Sequence, residues 1–242
     1  QLAQVRYGCV AVSIRLGNAD PSLHRNRRAA LRARIARPLL IFGMGSAGGA
    51  GSMSHGALRS LTGWDGHESL SLLVLGQDKD RLILASPFMQ PLAAETLPEL
   101  DPVFAPVAAW PDLVRDLLPM GQIGVIGFEE MPLSVARGFG PRIGPDPEAS
   151  DALDLMRLIK EPPALDLHRA GAAICDTVFA HLPTVLRPGH SAGQAQRALE
   201  ALALSQGADY CRTWLTARTK ADRPRYWPEE TSDLVSEGDQ VL

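Results

Sequence analysis

Apolar residues recur with two different spacings along the first half of the chain. Continuous or alternating apolar runs predict four strands, at 39–42, 70–75, 81–85 and 122–128. Spacings of three and four residues predict helices at His24–Arg37 and Trp110–Leu118. The polar segment 76–79 separates the two middle runs and predicts a hairpin. Because these strands alternate with short helices, the pattern predicts an α/β layer.

Glycine and proline are concentrated between Gly138 and Pro147, which predicts a segment without regular structure. The 242 residues of the chain suffice for two medium domains. We therefore predict one domain at 1–146 and a second domain at 151–242.

The second predicted domain opens with an amphipathic helix. Its apolar stripe recurs at three- and four-residue steps, at Leu167, Ala170, Ile174, Val178 and Leu182. Pro183 is predicted to end this helix. Ser191 is a natural N-cap for the next helix, and Gly207 suits the position just past its end. A strand-like run follows at Tyr210–Ala217.

The composition and charge are those of an ordinary globular protein. Hydrophobic residues make up 45% and charged residues 21% of the chain. A formal net charge of −3 argues against a nucleic-acid partner. One short segment is nevertheless rich in arginine, with Arg25, Arg27, Arg28, Arg32, Arg34 and Arg37. On a helix that turns Leu31 and Ile35 inward, such a run is predicted to be a solvated face.

Cysteine and histidine residues show no recognisable ligand spacing. Cys9, Cys175 and Cys211 form neither a disulfide framework nor a metal knuckle, so we expect a cytoplasmic protein. No apolar run approaches the roughly 20 residues of a membrane span, so no membrane partner is expected. Surface or capping roles are predicted for the histidines, which are His24, His55, His67, His168, His181 and His190.

Two short motifs match patterns of cofactor binding or catalysis but lack their context. The segment 43–48 has the glycine spacing of a dinucleotide fingerprint, yet no acidic residue ends a clear second strand at the required distance. A flexible loop is therefore favoured there. The segment 189–193 matches a nucleophile elbow, but no later histidine could act as its base. The capping role of Ser191 is therefore favoured.

Five segments, in this order and at these spacings, carry a resemblance to a known family. They are Leu61-Thr62-Gly63-Trp64, Ile123-Gly124-Val125, Arg157-Leu158-Ile159-Lys160, Pro188-Gly189-His190-Ser191 and Gly238-Asp239-Gln240-Val241-Leu242. Together they resemble the creatinase/aminopeptidase P/prolidase metallohydrolases, which have the pita-bread fold. The resemblance implies a creatinase-like N-terminal α/β domain with a mixed sheet and flanking helices at 1–146. It also implies the first part of an α+β pita-bread catalytic domain at 151–242.

The same resemblance implies a metal-dependent hydrolysis of an amide or another C–N bond. Two divalent metal ions (Mn, Zn, Co or Fe) would be held by two Asp, one His and two Glu residues and would activate a water molecule. All five ligands would lie beyond Leu242, and Asp239 belongs to the Gly-Asp turn rather than to the metal set. We therefore expect a partial sequence that by itself has no hydrolase activity and no catalytic metal.

One position departs from the family pattern. Where peptidase members place a substrate-facing histidine before the Gly-Asp turn, this chain has Trp227. An indole cannot shuttle a proton. Tyr226 and Trp227 are therefore candidate substrate-binding residues, as an aromatic wall for a cationic or amidine-bearing substrate, or they pack against a neighbouring domain.

Three functional alternatives stay open at this point. The chain belongs to an Xaa-Pro aminopeptidase-like enzyme, to a small-molecule hydrolase or lyase on the same fold, or to a non-catalytic peptide- or protein-binding member. The expected partners are a small peptide or small-molecule substrate and, from the resemblance, a second copy in a homodimer.

Overall fold

The computed structural model describes residues 21–45, 53–66, 69–76, 79–118, 120–208, 210–218 and 234–241. Contacts divide the chain into two compact units, one within Arg15–Lys160 and the other including Glu161–Leu242. Within the described ranges, no helix combines the length and the apolar character needed to span a bilayer.

The first unit is built around a mixed sheet of six strands. In chain order these strands are β1 (Leu39–Met44), β2 (Leu70–Leu75), β3 (Asp80–Leu84), β4 (Val103–Phe104), β5 (Ile123–Ile126) and β6 (Ile143–Pro145). Their order across the sheet is β4-β3-β2-β1-β5-β6. The β1–β2 and β2–β3 pairs are antiparallel, and the other three pairs are parallel. The predicted strands and the predicted hairpin between β2 and β3 are confirmed.

Strand β1 consists of apolar residues and one glycine because helices cover both faces of the sheet. Leu39 and Ile41 of β1 pack into one buried cluster, and Leu40 and Phe42 pack into the other. Successive side chains of a strand point to opposite faces, so a strand buried on both sides reads as a continuous apolar run.

Six helices flank the described strands. In chain order they are α1 (Pro21–Arg34), α2 (Met53–Thr62), α3 (Gln90–Thr96), α4 (Trp110–Leu117), α5 (Leu133–Phe139) and α6 (Pro147–Leu158). Apolar residues of α1, α2, α3 and α6 join the cluster on one face, and those of α4 and α5 join the cluster on the other. This arrangement confirms the predicted α/β layer with a mixed sheet and flanking helices.

The segment 138–147, predicted to be irregular, contains regular structure, and the prediction is wrong there. Strand β6 pairs in parallel with β5, with Ile143 opposite Ile123 and Gly144 opposite Gly124. The hydrogen bonds of this strand come from a segment about twenty residues earlier, so local composition does not reveal them. Helix α6 then packs on the same sheet, and the division between the two units falls after Lys160.

The arginine run on α1 is only partly solvated, which corrects the prediction of a solvated face. Arg28 is 2% exposed. Its guanidinium donates to Asp80 Oδ2 at 2.9 Å and to the carbonyl oxygen of Leu61 at 2.8 Å. Arg32 forms an ion pair with the same Asp80 carboxylate. Asp80, at the start of β3, therefore pairs with two arginines of the run, of which Arg28 is buried.

The second unit contains two helices and two short paired strands among its described residues. Their bounds are α7 (Pro162–Val185), α8 (Ala192–Ser205), β7 (Ala217–Arg218) and β8 (Gln240–Val241). Strands β7 and β8 are antiparallel. Val178, Leu199 and Ala203 form a buried cluster where α7 packs on α8.

Two predictions of secondary structure in this unit are wrong. Pro183 lies inside α7 rather than at its end, and the Leu186 N–H still donates to the Leu182 carbonyl oxygen at 2.9 Å. A proline so close to the end removes one backbone hydrogen bond without preventing the last turn. Of the run predicted as a strand at 210–217, only the last residue belongs to β7. Among the preceding residues, Thr213 is hydrogen-bonded to a side chain of α8 instead of to a neighbouring strand.

Candidate functional site

Two of the family-like turns lie side by side in the second unit. The Gly189 N–H donates to the Val235 carbonyl oxygen at 2.8 Å, and the Val235 N–H donates to the His190 carbonyl oxygen at 2.8 Å. Ser191 and Leu234 form an isolated antiparallel bridge. The turn before α8 is thus hydrogen-bonded to the segment that enters the Gly-Asp turn.

The Gly-Asp turn directs the chain into β8. Asp239 Oδ2 accepts a hydrogen bond from the Ser236 N–H at 2.8 Å, and Gly238 has a φ of +89°. That backbone conformation favours glycine, and the carboxylate closes the turn. Val241 of β8 then packs on Ala192 and its neighbours in a second apolar cluster. Asp239 therefore has the turn role predicted for it.

Ser191 is the N-cap of α8, as predicted. Its hydroxyl oxygen accepts from the Gln194 N–H at 3.2 Å, and Gln194 Oε1 accepts from the Ser191 N–H at 3.0 Å. This reciprocal pair is a capping box. The Ser191 hydroxyl is thus engaged by the first turn of the helix, which supports the capping role over a nucleophile. Gly207 follows the helix with a φ of +97°, also as predicted.

The Leu61–Trp64 segment has a structural role at the end of α2. The Thr62 hydroxyl donates to the Leu58 carbonyl oxygen at 2.8 Å and accepts from the Trp64 N–H at 2.9 Å. The Trp64 indole N–H donates to the buried Ser71 hydroxyl at 3.1 Å. Gly63 has a φ of +76°, and a Cβ there would lie 2.9 Å from His24 Nε2. This turn therefore closes over the imidazole of α1.

His24 departs from the surface role predicted for the histidines, which His168, His181 and His190 do occupy. It is 5% exposed, and its Nδ1 donates to the Ser60 carbonyl oxygen at 3.0 Å. Its Nε2 is buried and has no hydrogen-bond partner among the described residues. A proton added at Nε2 would be a buried donor without an acceptor.

The pKa of His24 is lowered from its ordinary value of 6.5, chiefly by burial. The charges of Arg27 and Arg28 lower it further, while the Ser60 hydrogen bond and Glu99 act in the opposite direction. The folded chain therefore favours the neutral ring. The stability that this preference contributes is complete above the unfolded pKa of about 6.5 and is lost as the pH falls toward the folded pKa.

We expect His24→Asn to remove this part of the pH dependence. The free energy of unfolding of the natural chain, relative to the variant, should fall below about pH 6.5 by at most about 1.4 kcal/mol per pH unit. Urea unfolding from pH 8 to pH 5 measures this difference, with His168→Asn as the matched control. Equal pH profiles for the natural chain and His24→Asn would contradict the prediction.

The glycine motif at 43–48 begins inside β1 rather than in a turn after it. Gly43 is the fifth residue of the strand, and a Cβ at this position would lie 2.9 Å from Leu58 Cβ. The missing side chain lets α2 pack closely on the sheet, which explains this glycine without a bound nucleotide. Residues 46–52 lie outside the described ranges.

The segment Arg157–Lys160 forms the end of α6 and the residues that follow it. The Arg157 guanidinium donates to Asp154 Oδ1 at 3.2 Å, and Lys160 Nζ donates to the Arg157 carbonyl oxygen at 2.6 Å. These are contacts of a helix C-terminus, where cations are favourable.

Neither a protein-family model nor a curated protein matches this sequence. Solved structures do match. The Xaa-Pro dipeptidase from Bacillus anthracis superposes with a TM-score of 0.68 and 16% identity, over 90% of this chain and 59% of that chain. The low-pH form of aminopeptidase P from E. coli superposes with a TM-score of 0.66 and 16% identity, over 92% of this chain and 58% of that chain. The prolidase from Thermococcus sibiricus superposes with a TM-score of 0.66 and 18% identity, over 92% of this chain and 60% of that chain.

The chain has the aminopeptidase P and prolidase fold. The resemblance seen in the sequence is thereby confirmed at the level of the fold, including the implied start of a pita-bread domain. The chain spans about three fifths of the length of these solved structures (58–60%).

The candidate substrate-binding residues of this aminopeptidase P-like chain, Tyr226 and Trp227, lie outside the described residues. Their role stays a prediction. Within the described part of the chain, no three or more His, Cys, Asp or Glu side chains come together to hold a metal ion. The described residues therefore do not supply the donor set that two metal ions need.

One group of hydrogen bonds in the second unit could not be predicted from the sequence. Glu200 Oε1 accepts from the Thr213 N–H at 2.8 Å and from the Thr213 hydroxyl at 3.1 Å. The Gln196 amide also donates to the Thr213 carbonyl oxygen. These bonds hold the segment before β7 along α8. Spacing gives no signal for them, because each joins a helix to an irregular segment.

Proposed function

We propose that this chain is part of a metal-dependent hydrolase that resembles Xaa-Pro aminopeptidase and creatinase. The observation that carries the proposal is the fold, shared over about nine tenths of the chain (90–92%) with structures named Xaa-Pro dipeptidase, aminopeptidase P and prolidase. The turn at 188–191 is hydrogen-bonded to the segment that enters the turn at 238–239, and it adds support because both turns are part of the sequence resemblance. The reaction would be attack of a metal-activated water on an amide or another C–N bond.

In this proposal, the described residues are scaffold. The chain spans about three fifths of the solved structures (58–60%). In this proposal, the metal ligands of the whole protein lie outside residues 1–242. Strand β8, which follows the Gly-Asp turn, would lead toward the first metal-binding carboxylate. A homodimer and a cytoplasmic location are part of the same proposal.

We expect the 242-residue chain to have no metal-dependent hydrolase activity, and the gene product read to its stop codon to have it. Both proteins are assayed with Mn²⁺, Zn²⁺, Co²⁺ or Fe²⁺ on Xaa-Pro dipeptides, on dipeptides without proline and on an amidine-bearing small molecule. A chelator should reduce the rate of the longer protein to background. A stop codon directly after Leu242, or turnover by the 242-residue chain alone, would contradict the proposal.

Tyr226 and Trp227 are proposed to form one wall of the substrate site. In the longer protein, Trp227→Ala should raise KM for a cationic substrate about tenfold, since a cation over an indole ring contributes about 1–2 kcal/mol. Trp214→Ala is the matched control, because Trp214 lies in the same unit and is 66% exposed. Equal effects of the two substitutions would show that Trp227 has no special contact with substrate.

A further inference from the structure

One cysteine of the second unit packs on a buried apolar cluster, and another lies on α7 next to residues of that cluster. Cys211 packs on the buried cluster of Val178, Leu199 and Ala203. Ile174 of α7 packs on this cluster too, and Cys175 follows it, one turn before Val178. Residues three apart on a helix are surface neighbours. Cys175 is exposed and Cys211 is partly exposed, and both are free thiols.

The chain holds Cys211 beside the two helices. Two residues after it, Thr213 is hydrogen-bonded to Glu200 and Gln196 of α8. Residues 210–216 form no helix or strand, so small backbone adjustments there break no ladder of hydrogen bonds. Such freedom matters because a disulfide requires Cα atoms about 4.4–6.8 Å apart.

The electrostatics of the two thiols agree with this proximity. Burial raises the pKa of Cys211, and negative charges on Glu200 and on Cys175 raise it further. Because access to the oxidant limits the first attack, the exposed Cys175 is the first to react and the partly exposed Cys211 the second.

We propose that Cys175 and Cys211 form a reversible intramolecular disulfide when the chain meets a disulfide oxidant such as oxidised glutathione. The Cys175 thiolate attacks one sulfur of the oxidant, forms a mixed disulfide and releases one glutathione thiolate, which takes up a proton. The Cys211 thiol then loses its proton to solvent, attacks the Cys175 sulfur and releases the second glutathione. The two protein thiols are oxidised by two electrons, and the oxidant is reduced to two glutathione thiols.

The bond would join α7 to the segment that enters β7. A cross-link of this kind restricts the unfolded chain and therefore stabilises the folded one. In a reducing compartment the pair would stay a dithiol and would respond only to oxidation. This inference rests on the second unit alone and is independent of the proposed hydrolase function.

The experiment uses the 242-residue chain with Cys9→Ser, which leaves Cys175 and Cys211 as its only cysteines. After incubation with oxidised glutathione, we expect both free thiols to be lost without addition of glutathione to the protein. Trypsin should then release peptides 170–197 and 198–212 joined through a disulfide, since Arg187 precedes a proline and is not cleaved. The unfolding midpoint in urea should rise on oxidation and return after reduction.

Cys9→Ser/Cys175→Ser is the matched control, because Cys175 is exposed and its replacement leaves the apolar cluster intact. This variant should show no linked peptide and no change of midpoint. Stable mixed disulfides on both cysteines, or a disulfide-linked dimer through Cys175, would overturn the proposal. Two free thiols after prolonged oxidation of the folded protein would overturn it equally.

Discussion

Gly124→Ala is expected to lower the free energy of unfolding by about 2–4 kcal/mol. A Cβ on Gly124 would overlap the Asp146 carboxylate and would lie 2.8 Å from both its Cβ and its Cγ. Asp146 has two roles at this point. Its Oδ1 caps α6 by accepting from the Ala149 N–H at 3.0 Å, and its carboxylate pairs with Arg37. If Asp146 moves to relieve the overlap, it therefore loses either the cap of α6 or the ion pair with Arg37.

The matched control is Gly144→Ala. Gly144 lies directly opposite Gly124 in the β5–β6 pair, and a Cβ there would meet no atom within 4 Å. Its effect should stay within about 0.5–1 kcal/mol, because alanine loses less backbone entropy than glycine. Urea unfolding of both variants measures the difference. In an Asp146→Ala background, Gly124→Ala should lower the free energy of unfolding by less than it does in the natural chain. An equal loss in the two backgrounds would mean that the strain does not arise from contact with the Asp146 carboxylate.

Arg28→Met is expected to lower the free energy of unfolding by about 3–5 kcal/mol, since it removes one partner of a buried ion pair. The side chain of Arg28 is 3% exposed and that of Asp80 is 11% exposed. Methionine leaves the Leu61 carbonyl oxygen without the guanidinium that now donates to it. It also leaves the Asp80 carboxylate to Arg32 alone among the arginines of α1.

Arg25→Met provides the control on the same helix, because Arg25 is exposed. Its effect should be within about 0.5 kcal/mol. The double variant Arg28→Met/Asp80→Asn should lose less stability than the sum of its single variants, because the amide carries no unpaired charge. Strict additivity, measured by chemical unfolding of the four proteins, would mean that the two side chains are not coupled.

Features with a local cause could be predicted from the sequence. The Ser191 hydroxyl and the Gln194 amide form their capping box within one helical turn, so four consecutive residues contain all the information. The apolar run at 39–42 is buried on both faces, and burial of that kind requires continuous hydrophobicity. The fold itself was predicted from several short segments whose order, rather than any single motif, carried the resemblance.

Features with a distant partner could not be predicted. Strand β6 depends on β5, and the burial of Arg28 depends on Asp80, which is far from it in sequence. The burial of His24 depends on the turn at Gly63. In each case the residue types alone suggested the opposite environment, because glycine, arginine and histidine are common in solvent-exposed segments.

The sequence by itself determined the alternation of strands and helices, the cap of α8, the turn role of Asp239 and the kinship of fold with aminopeptidase P and prolidase. Only the tertiary structure decided that α6 packs on the first sheet, that Arg28 of the arginine run is buried and that Cys211 packs on the apolar cluster between α7 and α8. The physical reason is the distance along the chain between the residues that interact. Hydrogen bonds within a turn and the periodicity of an element are written in neighbouring residues, whereas burial and ion pairing depend on which distant segments meet.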